Sequence, residues 1–241
     1  MKDSVPYLSM PQAIVQFFMQ DRKVILVGGT HGKTTTASII AWLLHEAGLD
    51  PSFLIGGIVK NFGSSYRLGQ GDYFVIEGDE YDTAFFDKGP KFMHYNPFIT
   101  IITGIEFDHA DIFDDLDHVK QVFQNFFRKL SPESLLVVPD SDPNINDIIG
   151  AVECRLKTFG RNTASVSYDQ YEAGSGKAGF QLSSSDFGKI DIETCLMGMH
   201  NMHNILSVAC TLEEIKCPAE TLSSAMKTFS GIKRRQEVRG V

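Results

Sequence analysis

The segment GGTHGKTTT at residues 28–36 combines glycines, a lysine and a run of hydroxyls, which are the residue types that hold phosphate groups. In such a turn, successive backbone N–H groups and the N-terminus of the following helix attract an anion. Lys33 would reach the terminal phosphates of a nucleotide, and the Thr34 hydroxyl would bind Mg²⁺. The common pattern places its first glycine where this chain has Val27. The segment therefore predicts a nucleotide-binding loop of a less common type.

Two further clusters of charged residues each follow an apolar run. EGDEYD occupies residues 77–82, and EFDHAD occupies residues 106–111. Ligands of open α/β sheets bind at the carboxyl ends of the strands. Carboxylates placed there suit Mg²⁺, and the imidazole of His109 could hold a second cation or transfer a proton. Either cluster alone could equally be a solvated surface loop; it is their coincidence with the loop at 28–36 that indicates a common site.

The segment HNMHN at residues 200–204 opens a predicted helix. Asn201 and Asn204 are three residues apart and therefore share one helix face. Amide side chains both donate and accept hydrogen bonds, so the pair could read the edge of an adenine. Helix capping together with one buried amide would explain the same pattern.

The elements that must position these residues follow from hydrophobic periodicity. Apolar strand runs lie at 23–27, 52–55, 73–76, 98–103 and 135–138, and helical patterns lie at 11–20, from the loop to Gly48, at 116–130, near 200–215 and near 218–229. This alternation predicts an α/β fold similar to that of P-loop NTPases, a mostly parallel sheet with helices on both faces. Residues 154–196 predict a small antiparallel β appendage with a hairpin tip near 172–177.

Composition excludes several classes of partner. The 241 residues carry 22 basic and 30 acidic side chains, a formal net charge of −8, which argues against nucleic acid and anionic membranes as partners. The sequence contains no run of 18 apolar residues and no basic-then-apolar N-terminal segment, and its four cysteines form no CxxC pair. These features predict a cytoplasmic protein and leave its oligomeric state open.

The ordered set of motifs resembles the Mur ligases, the ATP-dependent amide-forming enzymes of peptidoglycan synthesis. It comprises the loop at 28–36, Glu77, the DHAD cluster at 108–111, HNMHN at 200–204 and KRR at 233–235. The loop of that family characteristically lacks the distant first glycine. The resemblance covers essentially the whole chain and implies ATP and Mg²⁺ as cofactors.

Within the family, three segments (80–88, 91–95 and 106–116) resemble the branch that joins UDP-N-acetylmuramate to the tripeptide L-alanyl-γ-D-glutamyl-meso-diaminopimelate. That reaction recycles murein peptides. The branch that adds L-alanine to UDP-N-acetylmuramate is a close alternative, which the chain resembles less well around 81–95. More distant alternatives are a P-loop ATPase or kinase of another class and a module that only binds.

The resemblance also implies roles for individual residues. ATP phosphorylates the muramyl carboxylate, and the incoming amine then displaces phosphate. The implied catalytic residues are Lys33, Glu77 and His109; the implied metal ligands are Thr34 and Glu77 for one Mg²⁺ and His109 for a second. The implied nucleotide-binding residues are Gly29, Thr30, His31, Gly32, Lys33, Thr34, Thr35, His200, Asn201, Asn204 and Arg235.

The chain departs from the family pattern at one lysine. Where many members carry a carbamylated lysine, this chain has Phe123 and Gln124, and the nearby Lys120 is in a different helical phase, so we assign no carbamate. We expect Tyr81, His94 and Tyr95 to shape the site of the amino substrate. We expect residues 23–229 to form the central ATP-binding domain, 1–22 to be a linker from a UDP-binding domain, and 230–241 to be a hinge to a C-terminal domain.

Overall fold

The computed structural model describes residues 7–108, 110, 112–161 and 164–233. Its centre is one ten-stranded sheet in the order β12-β11-β10-β9-β8-β7-β1-β4-β2-β3. The strands are β1 Lys23–Gly28, β2 Ser52–Val59, β3 Ser64–Arg67, β4 Tyr73–Glu77, β7 Ile99–Ile102, β8 Leu135–Pro139, β9 Arg155–Gly160, β10 Val166–Gly174, β11 Lys177–Ser184 and β12 Gly188–Thr194. A separate two-stranded hairpin pairs β5 Asp82–Ala84 with β6 Asp87–Pro90.

The middle of the sheet is parallel, as predicted. β1 lies between β4 and β7, and β2, β8 and β9 continue the same parallel arrangement. β7 and β8 are buried along their whole length. Continuous apolar strands of this kind form where helices cover both faces of a sheet.

Among the residues that the structure describes, six α-helices flank the sheet in two layers: α1 Met10–Ile14, α2 Lys33–Glu46, α3 Leu116–Lys129, α4 Pro143–Ile148, α5 Met199–Glu214 and α6 Ala219–Thr228. Side chains alternate along β1, so Ile25 and Val27 pack under α2, α5 and α6, whereas Val24 and Leu26 pack under α1, α3 and α4. The α/β fold class predicted from the sequence is therefore confirmed, and both faces of β1 contribute to a core.

The structure corrects the sequence-based boundaries in the second half of the sheet. β9 lies parallel to β8, so residues 155–160 belong to the parallel sheet and not to the antiparallel appendage. The antiparallel pairs β10–β11 and β11–β12 begin only after it and are hydrogen-bonded to the same sheet. The predicted hairpin tip is confirmed, with a turn at Ser175 and Gly176.

Some elements had no clear sequence signal. β3 is a short polar edge strand, and α4 spans fewer than two turns, so neither shows a readable hydrophobic period. The first helix begins at Met10, one residue before the predicted start, and a π-helical segment Val15–Met19 continues it. In the described part of the chain, no helix combines the length and apolar character needed to cross a membrane.

The aromatic core below α3 provides a test of the packing. Phe123 is completely buried and its ring stacks on that of Phe92, with centroids 5.4 Å apart. We expect Phe123→Ala to lower the free energy of unfolding by about 3–5 kcal/mol, because it leaves a cavity that the layers cannot close. Phe85, which is 94% exposed, is the matched control; Phe85→Ala should change stability by less than about 0.5 kcal/mol. Urea unfolding that finds the two variants equally stable would contradict the described packing.

Candidate functional site

The loop between β1 and α2 passes so close to its neighbours that two positions require glycine. Gly29 and Gly32 have φ angles of 109° and 85°. A Cβ atom would lie 2.6 Å from Thr103 Oγ1 at Gly29, and 2.6 Å from Asn204 Oδ1 at Gly32. Val27, where the common pattern has glycine, is instead a fully buried residue of β1. The motif thus has its glycines where the backbone of this turn requires them, and an apolar strand residue at position 27.

The segment after β7 holds the same loop through backbone hydrogen bonds. The Thr30 N–H donates to Gly104 O over 2.9 Å, and the Glu106 N–H donates to Thr30 Oγ1 over 2.8 Å. Asp142, which caps α4, also accepts a 2.9 Å bond from the Ile105 N–H. The loop is therefore fixed from the side of β7 as well as by its own helix.

The Lys33 ammonium contacts three oxygen-bearing residues. Its Nζ lies 2.6 Å from Gly29 O, 3.2 Å from Thr30 O and 2.9 Å from Glu80 Oε1. The Glu80 side chain is 4% exposed and that of Lys33 is 15% exposed. Burial raises the pKa of the Glu80 carboxyl, and the charge of Lys33 opposes that shift. The sequence placed Glu80 in an acidic run but did not indicate this contact.

Glu77 stands at the end of β4, beside the first turn of α2. Its Oε2 accepts a 3.1 Å hydrogen bond from Thr34 Oγ1, and its Oε1 accepts a 2.6 Å bond from the Gly56 N–H. A hydroxyl and a carboxylate at this spacing are oxygen ligands of the kind that Mg²⁺ uses together with waters and phosphates. Among the described residues no cluster of three or more His, Cys, Asp or Glu forms a cage for a metal. The predicted residues His109 and Arg235 lie outside the described residues.

A cavity of about 580 Å³ opens at the carboxyl ends of β1 and β4. Its lining combines loop residues with acids and aromatic side chains: Met10, Thr30, His31, Gly32, Lys33, Thr34, Leu54, Ile55, Gly56, Ile76, Glu77, Asp79, Glu80, Tyr81, Lys91, Tyr95 and Asp108. The first two predicted motifs thus share one cavity. An ion pair between Lys91 Nζ and Asp79 Oδ2, 2.5 Å apart, also lines it; it was not predicted, because it depends on the β5–β6 hairpin that lies between the two residues.

Of the three residues expected to shape the site of the amino substrate, two belong to the lining of this cavity. Tyr81 and Tyr95 belong to its lining, and burial raises the pKa of the Tyr95 hydroxyl. His94 instead lies 2.8 Å from Asp87 Oδ2 through its Nε2 and does not belong to the lining that the structure describes. Lys120 pairs with Asp147 over 2.6 Å and is likewise outside this lining.

A second cavity, of about 380 Å³, adjoins the first across Gly32. Its lining is Gly32, Thr35, Leu196, His200, Asn201, Asn204, Phe229, Gly231 and Ile232. Asn201 Nδ2 donates to Met197 O over 2.8 Å, which fixes the amide at the start of α5. The structure therefore brings the HNMHN segment to the loop. The apolar residue Leu196 precedes α5, whereas Phe229 and Ile232 follow α6, and no local pattern marked any of them.

Comparisons with known proteins agree with this fold and site. Residues 27–212 match the family model described as the Mur ligase middle domain. The chain is 38% identical, over its whole length, to the UDP-N-acetylmuramate–L-alanyl-γ-D-glutamyl-meso-2,6-diaminoheptandioate ligase of Haemophilus influenzae and covers 52% of that protein. It is 30% identical to the UDP-N-acetylmuramate–L-alanine ligase of Desulfotalea psychrophila, with 99% of this chain and 51% of that protein covered.

A solved structure gives the same result. The UDP-N-acetylmuramate:L-alanyl-γ-D-glutamyl-meso-diaminopimelate ligase from Neisseria meningitides superposes with a TM-score of 0.86 at 37% identity. The alignment covers 95% of this chain and 73% of that one. The chain spans about half the length of the curated relatives it matches. By its sequence, its fold and the loop at residues 28–36, the chain belongs to the Mur ligase family.

Proposed function

We propose that this chain is the ATP-binding part of a ligase that joins UDP-N-acetylmuramate to L-alanyl-γ-D-glutamyl-meso-diaminopimelate. The observation that carries the proposal is the single cavity in which the phosphate loop, Thr34 and Glu77 meet. Family membership removes the alternative of an ATPase of another class. The identity of 38% to a relative with this activity supports the choice of substrates.

A nucleotide that spans both cavities accounts for their shared wall at Gly32. Its phosphates lie on the loop at the N-terminus of α2, where the N–H groups and the helix dipole favour negative charge. Its base would enter the smaller cavity, whose lining offers Asn201 and Asn204 for hydrogen bonds to the base and Leu196 and Phe229 for apolar contact. His200 borders the same cavity.

Thr34 and Glu77 are the residues that would hold Mg²⁺, because their oxygens already meet at the cavity. When bound, the ion neutralises charge on the phosphates. In our proposal His109 serves a second Mg²⁺, and Arg235 contacts a phosphate of the nucleotide.

The chemistry proceeds in two steps. An oxygen of the muramyl carboxylate attacks the γ-phosphorus of ATP, and ADP leaves with the electrons of the broken P–O bond. The amine of the tripeptide then attacks the acyl carbon, loses a proton, and displaces inorganic phosphate as the amide forms. The residues of the loop act by positioning and by charge: Lys33 holds the terminal phosphates, and the backbone N–H groups of the loop face the same atoms.

We also propose that residues 23–229 form one ATP-binding domain, and that residues 1–22 and 230–241 connect it to other parts of a longer enzyme that acts in the cytoplasm. The length of the curated relatives supports this division. The described residues after α6 lie against β2: the Lys60 N–H donates to Gly231 O over 3.0 Å, and Ile232 forms a bridge with Val59. On its own, the 241-residue chain should bind Mg·ATP and form little or no amide product.

The first test removes the ammonium of Lys33. Lys33→Ala should weaken ATP binding by about tenfold or more, because the terminal phosphates lose a charge-assisted hydrogen bond. Isothermal titration of the 241-residue chain with ATP and Mg²⁺ measures the effect. Lys177→Ala, which removes an exposed lysine of the β10–β11 hairpin, is the control and should bind like the wild type. Equal affinities in all three proteins would refute the assignment of the loop.

The second test concerns the metal. Glu77→Gln keeps the shape of the side chain and removes its charge, so Mg²⁺ should improve ATP binding by a factor several-fold smaller than in the wild type. Paired titrations with and without Mg²⁺ give this factor directly. Asp169→Asn, on the distant hairpin, provides a matched loss of one carboxylate. An unchanged Mg²⁺ effect in Glu77→Gln would exclude Glu77 as a ligand.

The third test separates the tripeptide from L-alanine, the amine used by the 30% identical relative. In the whole enzyme that contains this chain, kcat/KM for the tripeptide should exceed that for L-alanine by about tenfold or more. Replacing residues 81–95 by the segment of an L-alanine ligase should reduce that ratio, because Tyr81 and Tyr95 line the cavity. Replacing the turn at 185–187 should leave the ratio as it is. A preference for L-alanine in the native enzyme would favour the alternative substrate.

A further inference from the structure

The contacts of Lys33 leave no N–H free for a phosphate. An ammonium has three donors, and three acceptors lie within reach: Gly29 O, Thr30 O and the carboxylate of Glu80. The two carbonyl groups belong to the loop itself and carry no net charge. Glu80 supplies the charged acceptor, from the segment that follows β4. A phosphate that binds Lys33 must therefore displace an existing partner.

The negative charge of the buried Glu80 carboxylate is compensated by the Lys33 ammonium. Both of its oxygens lie 2.9 Å from Lys33 Nζ, but only Oε1 has hydrogen-bond geometry, and within the described part of the chain Oε2 accepts no hydrogen bond. A buried carboxylate costs free energy unless a counter-charge and hydrogen bonds replace the water it has lost. Glu77, three residues earlier, differs in this respect because Thr34 and Gly56 already donate to it.

We propose that Glu80 is a positioning residue. In the absence of nucleotide its carboxylate holds the Lys33 ammonium, and when ATP binds it releases the ammonium to a phosphate. The proposal rests on the ATP site described above and adds a competitor to it. In the empty site Glu80 keeps the lysine directed into the cavity. When ATP enters, the lysine transfers to the terminal phosphates, and when the product leaves, Glu80 takes it back.

The exchange has a consequence for affinity. The free energy of the ion pair between Lys33 and Glu80 is subtracted from that of the contact between Lys33 and the phosphate. Glu80 therefore weakens the binding of nucleotides whose phosphates reach Lys33 and leaves AMP unaffected, because AMP lacks the terminal phosphates. The opposite arrangement, in which Glu80 stays on Lys33 and orients it toward ATP, requires that Glu80 strengthens binding. The sign of the effect distinguishes the two.

The experiment compares Glu80→Gln with the wild-type 241-residue chain. Gln has the same shape and no charge, so ATP should bind about tenfold more tightly, and AMP should bind within about twofold of the wild type. Glu80→Asp retains the charge and draws it back from Lys33 by one methylene, so a smaller gain is expected; it also decides the question if Glu80→Gln does not fold. Glu172→Gln, an exposed residue of the β10–β11 hairpin, is the control.

A second measurement needs no nucleotide. Acetylation of Lys33 by acetic anhydride, followed by peptide mass spectrometry, should be several-fold faster in Glu80→Gln than in the wild type, because the amine is no longer held. If the wild type binds ATP but neither folded variant binds it more tightly, the exchange is wrong and the proposed function stands. If the wild type and both variants fail to bind ATP, the proposed function and the exchange fail together.

Discussion

The close contact of the loop at 28–36 with its neighbours determines the site. At Gly29 the backbone approaches Thr103 and Gly104 so closely that a methyl group would not fit, and at Gly32 it does the same with Asn204. These contacts join the ends of β1 and β7 and the start of α5 at one point. Both cavities open beside that point. Side chains from segments that are far apart in the sequence therefore line cavities next to the same loop.

The central sheet supplies the rigidity that this contact needs. β1 has a neighbour on each side and a layer of helices on each face, so it is held from four sides. Glu77 ends β4, directly beside Val27 of β1, and this register sets the distance between the carboxylate and the first turn of α2. The position of the carboxylate is thus set mainly by the pairing of β4 with β1.

Much of this arrangement could be predicted from the sequence because it is local. The apolar runs predicted the strands, and the glycines and Lys33 predicted the loop between strand and helix. Asn201 and Asn204 were predicted to share a helix face, and they line the same cavity. The predictions for His109 and Arg235 stay predictions, since both lie outside the described residues.

Other features depend on packing that no local pattern records. Glu77 and Glu80 belong to one acidic run, yet one accepts bonds from Thr34 and Gly56 and the other is buried against Lys33. Only the path of the chain after β4 decides between these environments. The parallel pairing of β9 was missed for a similar reason: its first two residues are exposed and only its last two are buried, so it lacks the continuous burial that marks β7 and β8.

The main-chain pairing of residues 231–233 with β2 has a mechanical consequence. It consists of main-chain hydrogen bonds, from Lys60 to Gly231 and from Lys233 to Ile58. The same strand carries Gly56, whose N–H holds the Glu77 carboxylate. A displacement of the polypeptide beyond α6 therefore reaches the hydrogen bond on that carboxylate through the main chain of β2, and substitutions on the way that keep the main-chain N–H groups leave this path in place.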